Sequence, residues 1–351
     1  MLRTLLLISL QIVLLMLAHS FALYEHRLFE PRFRKEGKKE ENKNGHSLNI
    51  ISDLEFFQPR VRHPTQSTGG TCPFTCGVTI PTERKSGLEI AGGTIVAHGE
   101  HPWVVRIVKT YPDGTTLCGG TILNSMNILT AAHCFKDTEG ALITVEAGSV
   151  LLKPVESSDL QSVEVAYATV HPQYDHWKKH SSYDVAVAVL KWPLQFVLGR
   201  VAPVCLSPTP PFEGLEGLIM GWGYTGFNSN EPSPYLLKAT IQVKNQELCE
   251  RAYQLFNVSV SKDQFCASEL NKDSCRGDSG GPFLVKIEDK WRQVGLVSYG
   301  AGCAIAEFPG IYSLVGASLD WILSAIQGGD CPHFTGIRKF LIEKISIIPD
   351  V

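Results

Sequence analysis

The sequence contains no apolar run long enough to cross a bilayer. Its longest, Leu5 to Leu17, is broken by Ser9 and Gln11 and falls about five residues short of the ~18 that a spanning helix needs. No charge of one sign dominates either. There are 32 basic and 35 acidic residues, a formal net charge of −3, which removes the usual argument for a nucleic-acid or anionic-membrane surface. Cys72-x-x-x-Cys76 looks like half a metal site, yet no His/Cys pair follows at finger spacing, so zinc is not expected. No segment of roughly 20–50 residues repeats, and helical patterns do not alternate with strands, which argues against a parallel α/β sheet.

What is present points to an oxidising compartment and an all-β body. Arg3, the short apolar run and Ala18-His19-Ser20 read as a secretory signal over residues 1–20. Secretion turns the ten cysteines into an expected disulfide framework. Residues 21–89 read as a leader. The stretch Arg32 to Asn44 is nearly all charged or amide, and Gln66 to Gly70 has linker composition, so little of it can bury apolar surface. The leader carries 11 basic and 9 acidic residues, and residues 90–351 carry 20 and 26.

From Ile90 to Ile326 the texture changes to short β-branched and aromatic runs set off by Gly, Pro, Asn and Asp. Trp103–Val108, Ser162–Tyr167, Asp184–Leu190 and Gln293–Ser298 are examples. Their spacing suits antiparallel barrels. Leu319, Ile322, Leu323 and Ile326 recur at helical spacing and predict one short helix at the end of the body. Residues 327–351 form a C-terminal extension with some hydrophobic content.

Three segments far apart in the chain hold the parts of a nucleophilic apparatus. Thr130-Ala-Ala-His133-Cys134 places an imidazole after an apolar run. Ser182-Tyr183-Asp184-Val185 places one carboxylate at the start of a buried strand. Gly277-Asp278-Ser279-Gly280-Gly281-Pro282 places a hydroxyl in a glycine-rich loop. A serine hydroxyl needs a base at neutral pH, which imidazole can be. The imidazole needs a buried carboxylate to hold its tautomer, and the attacked carbonyl needs fixed donors for its growing negative charge. The backbone amides of Gly277 and Ser279 are candidates for those donors.

These blocks resemble the trypsin/chymotrypsin family of serine proteases. Cys118-Gly-Gly-Thr, Met220-Gly-Trp-Gly223 and Pro309-Gly-Ile-Tyr312 match it as well, in family order. The resemblance implies two six-stranded antiparallel β-barrels with an active site between them, over residues 90–326. It implies a secreted endopeptidase with His133, Asp184 and Ser279 as its triad. It places Asp273 at the base of the pocket for the residue before the scissile bond, with Gly300 and Gly310 as its walls, so cleavage after Arg or Lys is expected. Ser298, Tyr299 and Gly300 match the strand that binds the substrate main chain. The partners it implies are protein or peptide substrates, protein protease inhibitors and an activating protease. A monomer is expected, with no cofactor, nucleic acid or membrane.

The family is made as zymogens, and Ile90-Ala91-Gly92-Gly93 matches the start of the mature chain, with Asp278 as partner of the new ammonium. The preceding residue is Glu89 where Arg or Lys is usual. Either another protease cuts there, or a cut at Lys85 is followed by trimming. The resemblance also implies the bridges Cys118–Cys134, Cys249–Cys266 and Cys275–Cys303. Cys72, Cys76, Cys205 and Cys331 allow three pairings, of which Cys76–Cys205 with Cys72–Cys331 fits the family's tethered leader near residues 72–76. Asn257-Val-Ser259 is the one N-glycosylation sequon. Ser149 stands where the family's calcium-binding loop carries its first carboxylate, so no metal is expected. Two alternatives remain: a non-catalytic homologue that acts as a binding module, and a zymogen that rarely activates.

Overall fold

The computed structural model describes residues 75–80, 93–153, 160–178, 182–226, 229–305 and 307–328, and the backbone at 89–90. All of them lie in the compact unit Gln66–Val351. Cys72 and Cys331, and the signal and C-terminal extension read from the sequence, lie outside the described residues.

The strands run in chain order β1 (Glu89–Ile90), β2 (Gly93–Ile95), β3 (Val104–Tyr111), β4 (Gly114–Ile122), β5 (Asn127–Thr130), β6 (Leu142–Ala147), β7 (Gln161–Val170) and β8 (Ala186–Leu190). Then come β9 (Cys205–Leu206), β10 (Glu216–Gly221), β11 (Leu237–Val243), β12 (Gln264–Ser268), β13 (Pro282–Ile287), β14 (Lys290–Tyr299) and β15 (Gly310–Leu314). Helix α1 spans Gln246–Gln254 and α2 spans Leu319–Ala325.

The first barrel closes in the order β3-β4-β5-β8-β7-β6, every pairing antiparallel. The second runs β11-β10-β13-β14-β15-β12 and closes through β11–β12. Two six-stranded antiparallel barrels are therefore the architecture. The short β1–β2 hairpin extends one edge through β2–β11, and β9 lies parallel to β14.

Composition explains why each barrel fills. β8 reads Ala-Val-Ala-Val-Leu and is buried throughout, which suits a strand covered on both faces. Val105, Ile107, Ile122, Ile128, Leu129 and Val187 pack within the first barrel. The second is built around Phe265, Phe283 and Tyr312, whose ring centroids lie 5.1–5.4 Å apart, close to the favoured aromatic separation.

The two glycines of the Cys118-Gly-Gly block answer to close packing, Gly120 inside the first barrel and Gly119 where the two barrels meet. A Cβ on Gly120 would lie 2.9 Å from the Ile128 side chain, and one on Gly119 would lie 2.9 Å from the Gly281 backbone. Across the same interface Thr121 Oγ1 donates to Gln293 Oε1 at 2.6 Å, fully buried. Arg106 of β3 bonds Glu146 and the Leu151 carbonyl, and its guanidinium lies over Trp222.

The predicted C-terminal helix forms and ends at Ala325, one residue before Ile326. Val315–Ser318 form a 3₁₀ segment, and the α-helix begins at Leu319. Leu319, Ile322 and Ala325 join the first barrel's core, and the Asn127 side chain clasps the backbone of Gln327, Nδ2 donating to its carbonyl and Oδ1 accepting from its N–H. Part of the leader is anchored too. Cys76 is bonded to Cys205, Gly77 N–H donates to the Pro203 carbonyl, and Trp291 N–H donates to the Gly77 carbonyl. Gly77 has φ +67°, and a Cβ there would meet the Trp291 carbonyl at 2.3 Å, so only glycine suits this position.

Candidate active site

Strand pairing brings the first two candidate residues together. Thr130 at the end of β5 opposes Ala186 at the start of β8. His133 follows β5 in a single 3₁₀ turn, Ala132–Phe135, and Asp184 stands two residues before β8, rather than at its first residue. The result is direct contact. His133 N donates to Asp184 Oδ1 at 2.9 Å, and His133 Nδ1 lies 2.7 Å from Asp184 Oδ2. A carboxylate can only accept, so Nδ1 carries a proton, and in the neutral tautomer this leaves the lone pair on Nε2.

The carboxylate is 3 % exposed. Burial alone would push it up, but the imidazole and its hydrogen bonds hold it below the usual carboxylate range. A third donor comes from the other barrel: Ser298 Oγ donates to Asp184 Oδ2 at 2.6 Å. The sequence placed Ser298 on the substrate-binding strand through resemblance alone and gave no sign of this side-chain contact. Its motif holds no polar partner, and the bond spans 114 positions.

Ser279 sits in the loop before β13. Its carbonyl accepts from Gly119 N at 2.7 Å, beside the Cys118–Cys134 disulfide and therefore beside His133. Gly280 makes this docking possible. Its φ is +77°, and a Cβ would fall 2.2 Å from Thr130 Oγ1. Gly277 has φ +93°. Among the described residues the amides of Gly277 and Ser279 donate no hydrogen bond, nor does Ser279 Oγ bond to His133. Both amides remain open to an incoming acceptor.

The remaining acids lie in the second barrel. Asp278 Oδ1 accepts from Gly223 N at 2.7 Å and its Oδ2 from Cys275 N at 3.0 Å. A Cβ at Gly221 or Gly223 would lie 2.1 or 2.5 Å from this carboxyl, which gives the Gly-Trp-Gly block a physical reason. Burial pushes Asp278 up to about 6 against those two hydrogen bonds. Asp273 accepts from Ser274 N at 2.8 Å and from Ala304 N at 3.2 Å. Burial pushes it up to about 7, with the Asp278 charge adding to the rise.

Both carboxyls line one cavity, together with Val297 and Cys303. Gly310 borders Asp273, since a Cβ there would lie 2.7 Å from Asp273 Oδ1, and Gly300 borders Gly310. The bridge Cys275–Cys303 spans this region, and Cys249–Cys266 ties α1 to β12. Tyr299 ends β14 and contacts Tyr253 edge-on at 6.0 Å.

Ile90 lies in the β1–β2 hairpin, paired with Gly93; of its side chain nothing is described. Among the described residues, Cys118, His133 and Cys134 are the one group close enough to hold a metal, but both sulfurs are in a disulfide and cannot act as thiolate ligands. No described helix is long and apolar enough to cross a membrane.

Comparison with known proteins identifies the family. The trypsin family model matches residues 90–322. Coagulation factor XI of Bos taurus is 32% identical over 277 residues, which covers 77% of this chain and 43% of that protein. Transmembrane protease serine 9 of Rattus norvegicus is 36% identical over 261 residues, covering 72% of this chain and 23% of that protein. The chain thus spans less than half the length of either relative. With the family model matched over both barrels and the histidine, aspartate and serine blocks in place, the chain belongs to the trypsin-like serine protease family.

Proposed function

We propose that the protein is a secreted serine endopeptidase that cleaves after Arg or Lys, made as a zymogen. The observation that carries this reading is the His133 imidazole held on the buried Asp184 carboxylate, beside the open amides of Gly277 and Ser279. In the first step Ser279 Oγ attacks the substrate carbonyl carbon while His133 Nε2 takes the hydroxyl proton. The carbonyl electrons move onto oxygen, where the Gly277 and Ser279 amides receive them. Collapse breaks the C–N bond, His133 returns its proton to the leaving amine, and an acyl-Ser279 ester remains. Water then repeats the sequence on the ester and releases the acid.

Asp273 supplies the specificity. A buried carboxylate without a cation beside it favours a guanidinium or ammonium from the substrate, and glycines at 300 and 310 leave its surroundings narrow-walled. Tyr299 and the backbone of Ser298–Gly300 then serve the substrate main chain. Asp278 has the same need, which the ammonium of Ile90 would meet after cleavage, drawing that segment in and ordering the pocket. Because Glu89 precedes Ile90, an enzyme with Asp273 in its pocket would not make that cut itself. Another protease, or a cut at Lys85 with trimming, would. Four disulfides among the described residues and the short apolar run at the N-terminus support secretion. Asn257 is exposed at φ +56° after α1, an accessible place for a glycan.

The test is to express the chain beginning at Ile90 and assay a small Arg ester, with and without Ser279→Ala. Turnover that the substitution abolishes supports the protease. No turnover in the parent points instead to a binding module. N-terminal sequencing of the mature protein checks activation: a start other than Ile90 would overturn it.

A further inference from the structure

Tyr183, the residue before Asp184, holds a backbone shape that its side chain disfavours. Its φ is +52°, in the left-handed region that a bulky residue keeps only when its surroundings hold it there. Asp263 supplies that hold. Its Oδ2 accepts from the Tyr183 N–H at 2.5 Å, across 80 positions of chain, from the turn that leads into β12 of the second barrel. Asp263 is 6 % exposed and is itself fixed. Ser261 Oγ donates to its Oδ1, and its carbonyl accepts from Leu314 N, at the end of β15, at 2.7 Å. Beyond Asp184 the chain is held as well. Val185 N donates to the Tyr183 carbonyl at 2.7 Å, closing a three-residue turn centred on Asp184, and the Val185 carbonyl accepts from His171 N at 3.0 Å. The His171 and Tyr183 rings stack with centroids 4.5 Å apart.

Asp184 is thus the middle of a tight turn whose first residue is gripped by a buried acid. The Asp263 carboxylate bonds to Tyr183 and Ser261, neither a member of the triad. Its leverage is through the backbone. Were Tyr183 to relax to an ordinary φ, the Cα–Cβ bond of Asp184 would turn with it, and both contacts of that carboxylate on His133 would lengthen. We infer that Asp263 is a positioning residue for the reaction: by holding the Tyr183 N–H from the second barrel, it aims the Asp184 carboxylate at His133. Ser298 holds one oxygen of Asp184; Asp263 holds the backbone that carries both. The kinetic consequence rests on the protease reading, and the placement of the imidazole does not.

Two readouts test it. The first is proton NMR of the His133 Nδ1–H in the full, uncleaved chain, where the bond to Asp184 moves that proton downfield of an ordinary ring N–H. The second is kcat and KM on a small Arg anilide, using the full chain with Glu89→Arg cut before Ile90 by immobilised trypsin. Asp263→Ala should move the resonance upfield or broaden it away. It should also lower kcat by about thirtyfold with KM within about twofold, since a misplacement of about 1 Å can cost on the order of 10²-fold. Asp263→Asn still offers an oxygen to the Tyr183 N–H, so it should keep the resonance and hold kcat within about threefold. An acid with a merely structural role would lower the urea midpoint and leave both the resonance and kcat alone. That outcome, an Asn variant as impaired as the Ala variant, or a change in KM alone would overturn the assignment. Should Asp263→Ala not fold, Ser261→Ala loosens the same carboxylate and should lower kcat by about threefold with KM unchanged; an unchanged kcat overturns the inference. An active parent whose resonance and kcat ignore Asp263→Ala refutes this inference alone. A parent without turnover whose resonance responds to Asp263→Ala refutes the protease reading and supports the placement.

Discussion

The two barrels treat their buried acids differently. In the first, Asp184 is 3 % exposed yet fully provided for, with the His133 backbone amide, the His133 ring and the Ser298 hydroxyl all on its oxygens. In the second, Asp273 and Asp278 are met mainly by backbone amides, and both are pushed up toward neutrality. The contrast separates a group held charged by its partners from two groups that burial raises toward the neutral form. A carboxylate with three donors, one of them an imidazole, is stable without any partner from outside the fold. One with only amides becomes favourable as an anion when an ammonium or guanidinium arrives.

Substitutions test that contrast in order of effect. His133→Ala should lower kcat by on the order of 10⁴ or more, measured on an Arg ester in the chain beginning at Ile90. Residual turnover within tenfold of the parent would break the assignment of the first barrel's base. Asp273→Asn should cut kcat/KM for Arg and Lys substrates by on the order of 10³, while leaving the Asp184–His133 pair untouched. In the parent, KM for a basic substrate should rise as pH falls through about 7, because protonation of Asp273 removes its attraction for the substrate cation. A KM flat from pH 8 to pH 5.5 would count against it.

Asp278→Asn sharpens the comparison through stability. A carboxyl raised to about 6 in the folded chain binds its proton more tightly than when unfolded. Its contribution is therefore fully present at low pH and is lost as pH rises from about 4 through about 6. The uncleaved Asn variant should be more stable than the parent at pH 8, by on the order of 2 kcal/mol in urea unfolding, and should match it below pH 4. It should also fail to gain activity when the chain begins at Ile90. The smallest effect is expected for Ser298→Ala, about tenfold in kcat with KM little changed, since it removes one of three donors from a buried anion. An unchanged kcat would reduce the Ser298 bond to packing.

Much of the site was legible in the chain because its parts are local. TAAHC, GDSGGP and the Gly-Trp-Gly block are short segments whose glycines answer to backbone demands, as Gly280 against Thr130 and Gly221 against Asp278 show. Strand texture was legible for the same reason: alternation and β-branching are local properties, and β3, β7, β8 and β14 overlap the predicted runs. Contacts between distant segments were not. Ser298 on Asp184, Arg276 on Tyr224 and Thr121 on Gln293 each join side chains whose own motifs carry no mark of the partner.

The sequence by itself determined the family, the two-barrel architecture and the identity of the candidate catalytic residues, because these depend on residue types at set spacings. Only the tertiary structure decided which oxygens of Asp184 are occupied and which amides near Ser279 remain open. It also decided that Asp273 and Asp278 share one cavity and that Arg276 is held against Tyr224. Those outcomes depend on how β4, β8, β10 and β14 approach one another across the barrel interface. Burial and hydrogen bonding there set the charge of each group, and no single segment of the chain contains both sides of that interface.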